Sequence, residues 1–430
     1  MPSARIPLLC LCFLVGAATL PAAAMRARAD ADDAVAEAPL PPEPPELEVD
    51  ADSAASETTP AATAPAAAAP PPATYRMESL RHKIARVLDI YRQRPLNTLE
   101  NNPWEVMHWA LAWGAGGTIK KGSTAGDLVG AFNWLNHGQR CNGLVMVAAD
   151  GDRLKAMLGK GMQGHAAQYL AVMAQARLPR STPITVGGRR FTIDDLIDTE
   201  KRACREGMEL TFTLISMAHY LDTDATWTSD DGTAWSIPKL VEEELKQPIR
   251  GAPCGGSHRL FGLAYACQKR REAAGTLEGV YVQANRFYRL HQQRMFDELQ
   301  NRDGSFSTAW FDKPEDGWDT ERKLRTTGHM LEFLVSTTEQ PVLYHPKTVK
   351  AVEYLAGILE ADPEKEWKIG PMSHALHSLA IYQERVWGQL TPHAIAAYSG
   401  GMKARPQHGR PKSTSPVISA SLERLQSILR

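Results

Sequence analysis

Four histidines of this chain occupy the same local frame, in segments that read GHAAQYLA, SHRLFGLA, GHMLEFLV and SHALHSLA. They are His165, His258, His329 and His374. Each follows Gly or Ser, and each is followed by Leu five positions later and by Ala or Val six positions later. A neutral imidazole serves as a general base or as a metal ligand. If the fold brings the four side chains together, they would therefore form a reactive or metal-binding site.

A frame that recurs in this way indicates a repeated supersecondary unit. We expect each histidine to begin an apolar helix, with the starts of these helices facing a common central funnel. Charged amphipathic helices such as SLRHKIARVLDIYRQ and KTVKAVEYLAGILE stand between them. Alternating apolar and amphipathic helices predict an all-α fold of the α/α-toroid type, a ring of inner helices inside a ring of outer ones.

The sequence also predicts the secondary structure of two further segments. Residues 184–193, ITVGGRRFTI, predict one small β-hairpin that turns on Gly187 and Gly188. The apolar pattern of residues 152–176 predicts one helix, with Asp150 as its N-cap.

The two ends of the chain differ in composition from its middle. Residues 1–24, with Arg5, the apolar run IPLLCLCFLVGAATL and the sequence PAAA, predict a signal peptide and hence a secreted or periplasmic protein. The alternative is a membrane anchor formed by the uncleaved signal. Residues 25–75 are rich in Ala, Pro and acidic residues and predict a disordered linker. We assign 76–398 to the toroid domain and 399–430 to a basic, flexible tail with a short amphipathic helix.

The overall composition excludes several classes of protein. The chain has 430 residues, 43% of them hydrophobic and 23% charged, with a formal net charge of −1. A generally disordered chain and a nucleic-acid binder that depends on bulk positive charge are both excluded. No segment beyond the signal has the run of about 18 apolar residues that a membrane helix needs. The cysteines outside the signal allow one or two disulfides, with the pairing open; they are Cys141, Cys204, Cys254 and Cys267.

One motif resembles a known superfamily. Residues 300–306, QNRDGSF, followed by Trp310, are similar to the QxxDGSW motif of the terpenoid cyclase and prenyltransferase toroids, and DGTAW at 231–235 is a weaker echo. In that superfamily the motif is structural, so the resemblance implies the fold and not the chemistry. The superfamily's acidic DxDD motif is missing from the predicted domain. The DGSF, TTGHMLEFLV and MSHALHSLAIY segments are also similar to secreted bacterial proteins of unknown activity.

A second motif, Gly328-His329-Met330-Leu331-Glu332, resembles the GHxxE motif of sugar 2-epimerases. In that family the histidine and the glutamate lie in the sugar site and transfer protons, so the resemblance implies an acid–base role for His329 and Glu332. The two residues are three positions apart and share one face of a helix. His258 or His374 would complete this candidate catalytic set.

The histidine set is open to three interpretations: helix-end architecture, a polar binding or catalytic funnel, or a metal site. The spacings of 93, 71 and 45 residues match no compact metal motif, so we assign no metal ligands and no cofactor. His108 is a degenerate fifth member of the set. His165, Asp303 and Trp310 are candidate binding residues, with Asp303 near enough in sequence to act with His329 and Trp310 suited to stacking on a sugar.

These observations predict a toroid of the cell envelope that acts as a binding or structural module. The expected partner is a carbohydrate or another envelope protein. The alternative is a carbohydrate-active enzyme, an epimerase or a lyase, with a His/Glu acid–base pair at the funnel.

Overall fold

The computed structural model describes residues 73–388, which form thirteen α-helices and four two-stranded antiparallel hairpins. The predominantly helical fold predicted from the sequence is confirmed. The predicted signal peptide, the linker up to residue 72 and the tail 399–430 lie outside the described residues. Within residues 73–388, no helix combines the length and the apolar character needed to cross a membrane.

The helices are α1 (Ala73–Arg92), α2 (Pro103–Trp113), α3 (Ala131–Asn136), α4 (Gln168–Gln175), α5 (Ile193–Ala203), α6 (Thr211–Tyr220), α7 (Ile237–Lys246), α8 (Ser257–Ala274), α9 (Val280–Arg294), α10 (Thr320–Thr337), α11 (Gln340–Leu343), α12 (Pro346–Ala361) and α13 (Ile369–Trp387). The hairpins pair β1 (Thr118–Lys120) with β2 (Leu128–Gly130), β3 (Val147–Asp150) with β4 (Arg153–Ala156), β5 (Pro183–Val186) with β6 (Arg189–Thr192), and β7 (Thr226–Thr228) with β8 (Ala234–Ser236).

Six of the helices pack against one another in a closed cycle. Helix α2 packs on α4, α4 on α6, α6 on α8, α8 on α10, α10 on α13, and α13 returns to α2. The helices that precede them in the chain, α1, α3, α5, α7, α9 and α12, each pack against one or two members of this cycle. Burial follows the two classes, because α6 is buried along nearly its whole length while α5 buries a single stripe.

The leucines of the repeated frame explain why the frame recurs. They lie five residues after the histidines and are fully buried; they are Leu170, Leu263, Leu334 and Leu379. The histidines themselves are less regular than expected. Only His258 lies in the first turn of its helix, while His165 precedes α4 and His329 lies in the middle of α10.

The predicted helix over residues 152–176 is wrong in its first half. Asp150 is the last residue of β3, Gly151 begins the turn to β4, and α4 begins only at Gln168. Gly159 and Gly161 adopt φ values of 132° and 76°, which a right-handed helix does not contain. The hairpin predicted over 184–193 is present as β5 and β6.

The QNRDGSF segment forms a tight turn fastened to α12. The Gln300 side-chain amide donates to the carbonyl of Lys347 at 2.7 Å. Gly304 has φ of 103°, and a Cβ atom there would lie 2.5 Å from the carbonyl oxygen of Lys350. Phe306 is fully buried. The motif therefore has a structural role here, which includes Asp303, one of the predicted binding residues.

None of the four cysteines in the described region forms a disulfide. Cys141, Cys204 and Cys267 are buried, and burial raises the pKa of each of these thiols to about 12. They behave as small core side chains and are poor nucleophiles at neutral pH.

Candidate metal centre

Five helices of the cycle, and the segment that leads into α4, each bring one aromatic ring to a common core. These rings, in chain order, are His108, His165, Phe212, His258, His329 and His374. Neighbouring ring centroids are separated by 5.4 Å for His108–His374, 3.8 Å for His374–His329, 5.2 Å for His329–His258, 5.1 Å for His258–Phe212 and 5.1 Å for Phe212–His165. The repeated frame thus places its members side by side.

The core of this cluster is the trio His258, His329 and His374. The centroid of His258 lies 5.2 Å from each of the other two rings. These residues are only 9%, 4% and 5% exposed, in that order. The histidines therefore converge as expected, but they do so in a buried core.

Two of the histidines have their tautomer set by their own helix. The Nδ1 atom of His329 lies 2.8 Å from the carbonyl of Arg325, and that of His108 lies 2.8 Å from the carbonyl of Trp104. A carbonyl oxygen can only accept, so Nδ1 carries the proton and donates. The lone pair of each neutral ring then resides on Nε2, the nitrogen available to a ligand.

Carboxylates set the tautomer of three other histidines. Glu332, which is 5% exposed, accepts from Nδ1 of His374 at 2.7 Å and from Nδ1 of His377 at 2.5 Å. Glu209 accepts in the same way from Nδ1 of His165 at 2.8 Å. This arrangement corrects the predicted pairing of His329 with Glu332. The two residues share a helix, but the carboxylate is bonded to α13 instead.

The same bonds determine the charge of Glu332. Burial alone would raise the pKa of this carboxyl, but His374 and His377 hold it well below its usual range. Glu332 is therefore an ionised acceptor for two N–H groups at neutral pH. It orients histidines and has no proton to give, which disfavours a role as general acid.

His258 has a different environment. Its two ring nitrogens are buried, and neither has a hydrogen-bond partner in the part of the chain that the structure describes. An unpaired buried polar atom costs about 1–3 kcal/mol, and such atoms in native proteins usually mark a bound ion, a water or a catalytic role. The ring lies against His329, His374 and Phe212, which offer it no hydrogen-bond donor that is not already in use.

Three imidazoles of the cluster, those of His108, His258 and His329, favour the neutral form. Burial, reinforced by the neighbouring His374, lowers the pKa of His108 to about 3. The same two causes hold the pKa values of His258 and His329 well below the ordinary range. A neutral imidazole is the form that binds a metal ion.

Two overlapping triads have candidate ligand atoms close enough together to converge on a metal ion after small movements. They are Cys254/His258/His329 and His258/Glu332/His374, and within each triad the candidate ligand atoms lie within 4.8 Å of one another. Ligands around a tetrahedral zinc lie about 3.4 Å apart, given a Zn–N distance of ~2.1 Å, so small side-chain movements would close either triad. His258 is common to both.

A strained turn presents Cys254 to the histidines. Cys254 and Gly255 have φ values of 49° and 62°, in the left-handed region, immediately before α8. A Cβ atom on Gly255 would lie 2.1 Å from the ring of Trp310, so only glycine fits there. Trp310 in turn packs edge-on to His329, with ring centroids 5.5 Å apart. The candidate binding residue Trp310 is therefore a wall of the cluster.

Asp303 does not reach the cluster. Its carboxylate accepts from the hydroxyl of Ser305 at 2.6 Å and pairs with Lys323 at 2.7 Å. His329 is hydrogen-bonded to a backbone carbonyl and to no carboxylate of the described chain. The suggested pairing of Asp303 with His329 is therefore wrong, because the aspartate is used within its own turn.

Three residues of the cluster were missed from the sequence: Phe212, His377 and Glu209. Phe212 supplies the sixth ring of the cluster, and a signal existed, since Met217 and Ala218 follow it at the fifth and sixth positions, where the repeated frame has Leu and Ala or Val. His377 follows His374 by one helical turn and so shares its face. Glu209 has no sequence signal, because it meets His165 only through the fold.

None of the protein-family models, curated proteins or solved structures compared with this chain matches it.

Proposed function

We propose that the described helices form an α/α toroid, with α2, α4, α6, α8, α10 and α13 as its inner ring. Support comes from the closed cycle of packing among these six helices. The remaining long helices alternate with them in the chain and pack against them. The aromatic cluster then occupies the hub of the ring.

The hub binds a divalent transition metal of the zinc class. The observation that carries this proposal is His258, whose two buried ring nitrogens have no hydrogen-bond partner within residues 73–388 while its own ring and that of His329 are held neutral. A metal ion would satisfy the lone pair that no hydrogen bond reaches. Nitrogen and sulfur donors favour zinc over magnesium or calcium, which prefer oxygen ligands.

The triad Cys254, His258 and His329 supplies the better set of donors. Glu332 is already fully engaged by two histidine N–H groups, so it acts behind His374 in the manner of the carboxylates that orient metal-bound histidines. His374, oriented by that bond, is the fourth ligand. The resulting Cys/His site resembles closed zinc sites that stabilise a fold.

A closed, buried hub is consistent with a binding or structural module of the cell envelope. The alternative, an epimerase or lyase with His329 and Glu332 as acid and base, is less favoured. Glu332 is held by α13, and the trio of histidines is at most 9% exposed. A carbohydrate or another envelope protein remains the proposed partner, and a secreted or periplasmic location the proposed location.

Metal content tests the proposal. The full chain is incubated with zinc, dialysed and measured by plasma mass spectrometry, and we expect about one zinc per chain, as for a single tetrahedral site. His258→Ala should abolish the bound zinc, since His258 belongs to both triads.

His291→Ala is the matched control. His291 also places Nδ1 3.0 Å from a backbone carbonyl of its own helix, but it lies on α9, outside the cluster. It should retain the zinc. A wild-type chain without zinc, or equal zinc in both variants with unchanged circular dichroism, would refute the proposal.

A further inference from the structure

A second site lies at the opposite ends of the same helices. A cavity of about 810 Å³ is lined by the C-terminal ends of α1, α2, α4, α6 and α10, by residues 261–272 of α8 and by residues 377–385 of α13. Its size falls in the range of small-molecule sites, about 300–1,000 Å³. Its wall includes His377, which is also bonded to Glu332. The other residues of the metal cluster do not line it.

The cavity is lined by polar groups without partners. Gln383 is 2% exposed, lines the cavity, and among residues 73–388 has no hydrogen-bond partner at either its amide nitrogen or its amide oxygen. The indole N–H of Trp113, the amide oxygen of Gln268 and the hydroxyl of Ser336 belong to other lining residues and also have no hydrogen-bond partner in the described region. Both donors and acceptors are thus available, as a ligand with hydroxyl groups requires.

Charge on the wall favours an anion. Two of its cations are neutralised locally, because Arg177 pairs with Glu384 at 2.9 Å and Lys269 with Glu272 at 2.8 Å. Arg92 is different: it makes no ion pair or hydrogen bond with the described residues, and its guanidinium lies over the Trp113 ring at 5.0 Å from the centroid.

The remaining cation of the wall, Arg385, is fixed in place by the backbone. Its guanidinium donates to the carbonyls of Val335 and Thr338, both at 2.6 Å, at the end of α10. Arg92 is therefore the cation that remains available to bind a ligand. A single planar guanidinium matches one carboxylate, whereas a phosphate dianion is better matched by two free cations.

Aromatic rings provide the apolar part of the wall. Phe261 and Tyr265 are stacked with their centroids 5.6 Å apart, and both line the cavity together with Trp113. The faces of such rings pack well against the C–H faces of sugars. The lining of this cavity thus combines polar groups that can bond to hydroxyls, one available cation and apolar ring faces.

We propose that this cavity binds a sugar acid, a polyhydroxylated ring that carries one carboxylate. The carboxylate pairs with Arg92, the hydroxyls bond to Gln383 and the Trp113 N–H, and the ring packs on the aromatic wall. This site goes beyond the metal centre, because its ligand contacts come from the other ends of the helices.

Calorimetric titration of the full chain with three probes tests this site. D-glucuronate carries the hydroxyls and a carboxylate, D-glucose lacks the charge, and glucose 6-phosphate replaces the carboxylate with a phosphate. We expect glucuronate to bind with a Kd of ~1 mM or tighter and at least ~10-fold more tightly than the other two, which corresponds to about 1.4 kcal/mol. Arg92→Met should weaken glucuronate binding by at least ~10-fold.

Arg86→Met is the matched control, since Arg86 lies on the same helix and pairs with Glu360 instead of lining the cavity. It should leave glucuronate binding unchanged. Gln383→Leu should weaken binding while removing an unsatisfied amide from the fold, so a folding defect is not expected to mask the result. No glucuronate binding at about 10 mM, tighter binding of either other probe, or full binding by Arg92→Met would overturn the proposal.

Discussion

Replacing Glu332 with glutamine isolates the role of the carboxylate at the hub. The wild-type group accepts an N–H from His374 and another from His377. An amide of the same shape offers only one acceptor, and its nitrogen is a donor. In Glu332→Gln, one histidine therefore has to change tautomer or lose its bond, and the other bond loses its charge assistance.

The expected magnitude follows from these two bonds. Each charge-assisted bond contributes about 1.5–3 kcal/mol, and a neutral bond contributes about 1 kcal/mol. Two neutral bonds at best replace two charged ones, while relief of the buried charge offsets part of the loss. We expect the free energy of unfolding of the metal-free chain to fall by about 2 kcal/mol. Because His374 would lose its fixed orientation, we also expect zinc affinity to fall by ~10–100-fold.

Urea denaturation in the presence of a chelator measures the first effect, and zinc competition with a chromogenic chelator measures the second. Glu353→Gln is the control, since Glu353 pairs with Arg76 on the surface and its loss should cost less than ~1 kcal/mol. If Glu332→Gln unfolds at the wild-type urea concentration and binds zinc with unchanged affinity, the assignment of Glu332 as an orienting group is refuted.

Two further predictions concern stability away from the hub. Burial raises the pKa of Glu200 to about 7 from an ordinary value of 4.5. The folded chain therefore holds this proton more tightly than the unfolded chain, and the Glu200 contribution to stability falls by about 3 kcal/mol as pH rises from about 4.5 through 7. Glu200→Gln should thus be more stable than wild type at pH 8 and nearly equal at pH 4.5 in urea titrations; a pH-independent difference would contradict this. Gly304→Ala should lower the melting temperature, by an amount equivalent to about 2 kcal/mol or more, because φ is 103° and the new Cβ would lie 2.5 Å from the carbonyl of Lys350. Gly357→Ala, in the middle of α12 with open space around it, should instead raise stability by up to ~1 kcal/mol, and equal effects of the two substitutions would refute the argument.

The sequence predicts the convergence of the histidines better than it predicts their chemistry. The frame His, Leu at +5 and Ala or Val at +6 reflects one packing requirement, the burial of leucines such as Leu170 and Leu379, so its members occupy equivalent places. The hydrogen-bond partners of Glu332 could not be predicted in the same way. Helical periodicity places Glu332 beside His329, but its hydrogen bonds are decided by α13, which is more than 40 positions away.

Local sequence patterns predicted one of these hairpins, β5–β6, but not the β3–β4 hairpin. Gly187-Gly188 between two apolar runs identifies β5 and β6, since both glycines take positive φ. Asp150-Gly151 carries a similar turn signal, but the apolar residues after it continue with a spacing that also suits a helix. Gly159 and Gly161 adopt positive φ, which a helix over residues 152–176 would not allow. This stretch therefore forms a hairpin followed by an irregular segment.

The most direct test of the metal hub is anomalous diffraction from crystals of the full chain grown with zinc. Data recorded above and below the zinc absorption edge locate the ion independently of any assumption about ligands. If the zinc site exists, we expect one dominant anomalous peak within about 2.5 Å of Cys254 Sγ and of a ring nitrogen of His258. A map with no peak between these side chains, or with its dominant peak elsewhere in the molecule, would contradict it.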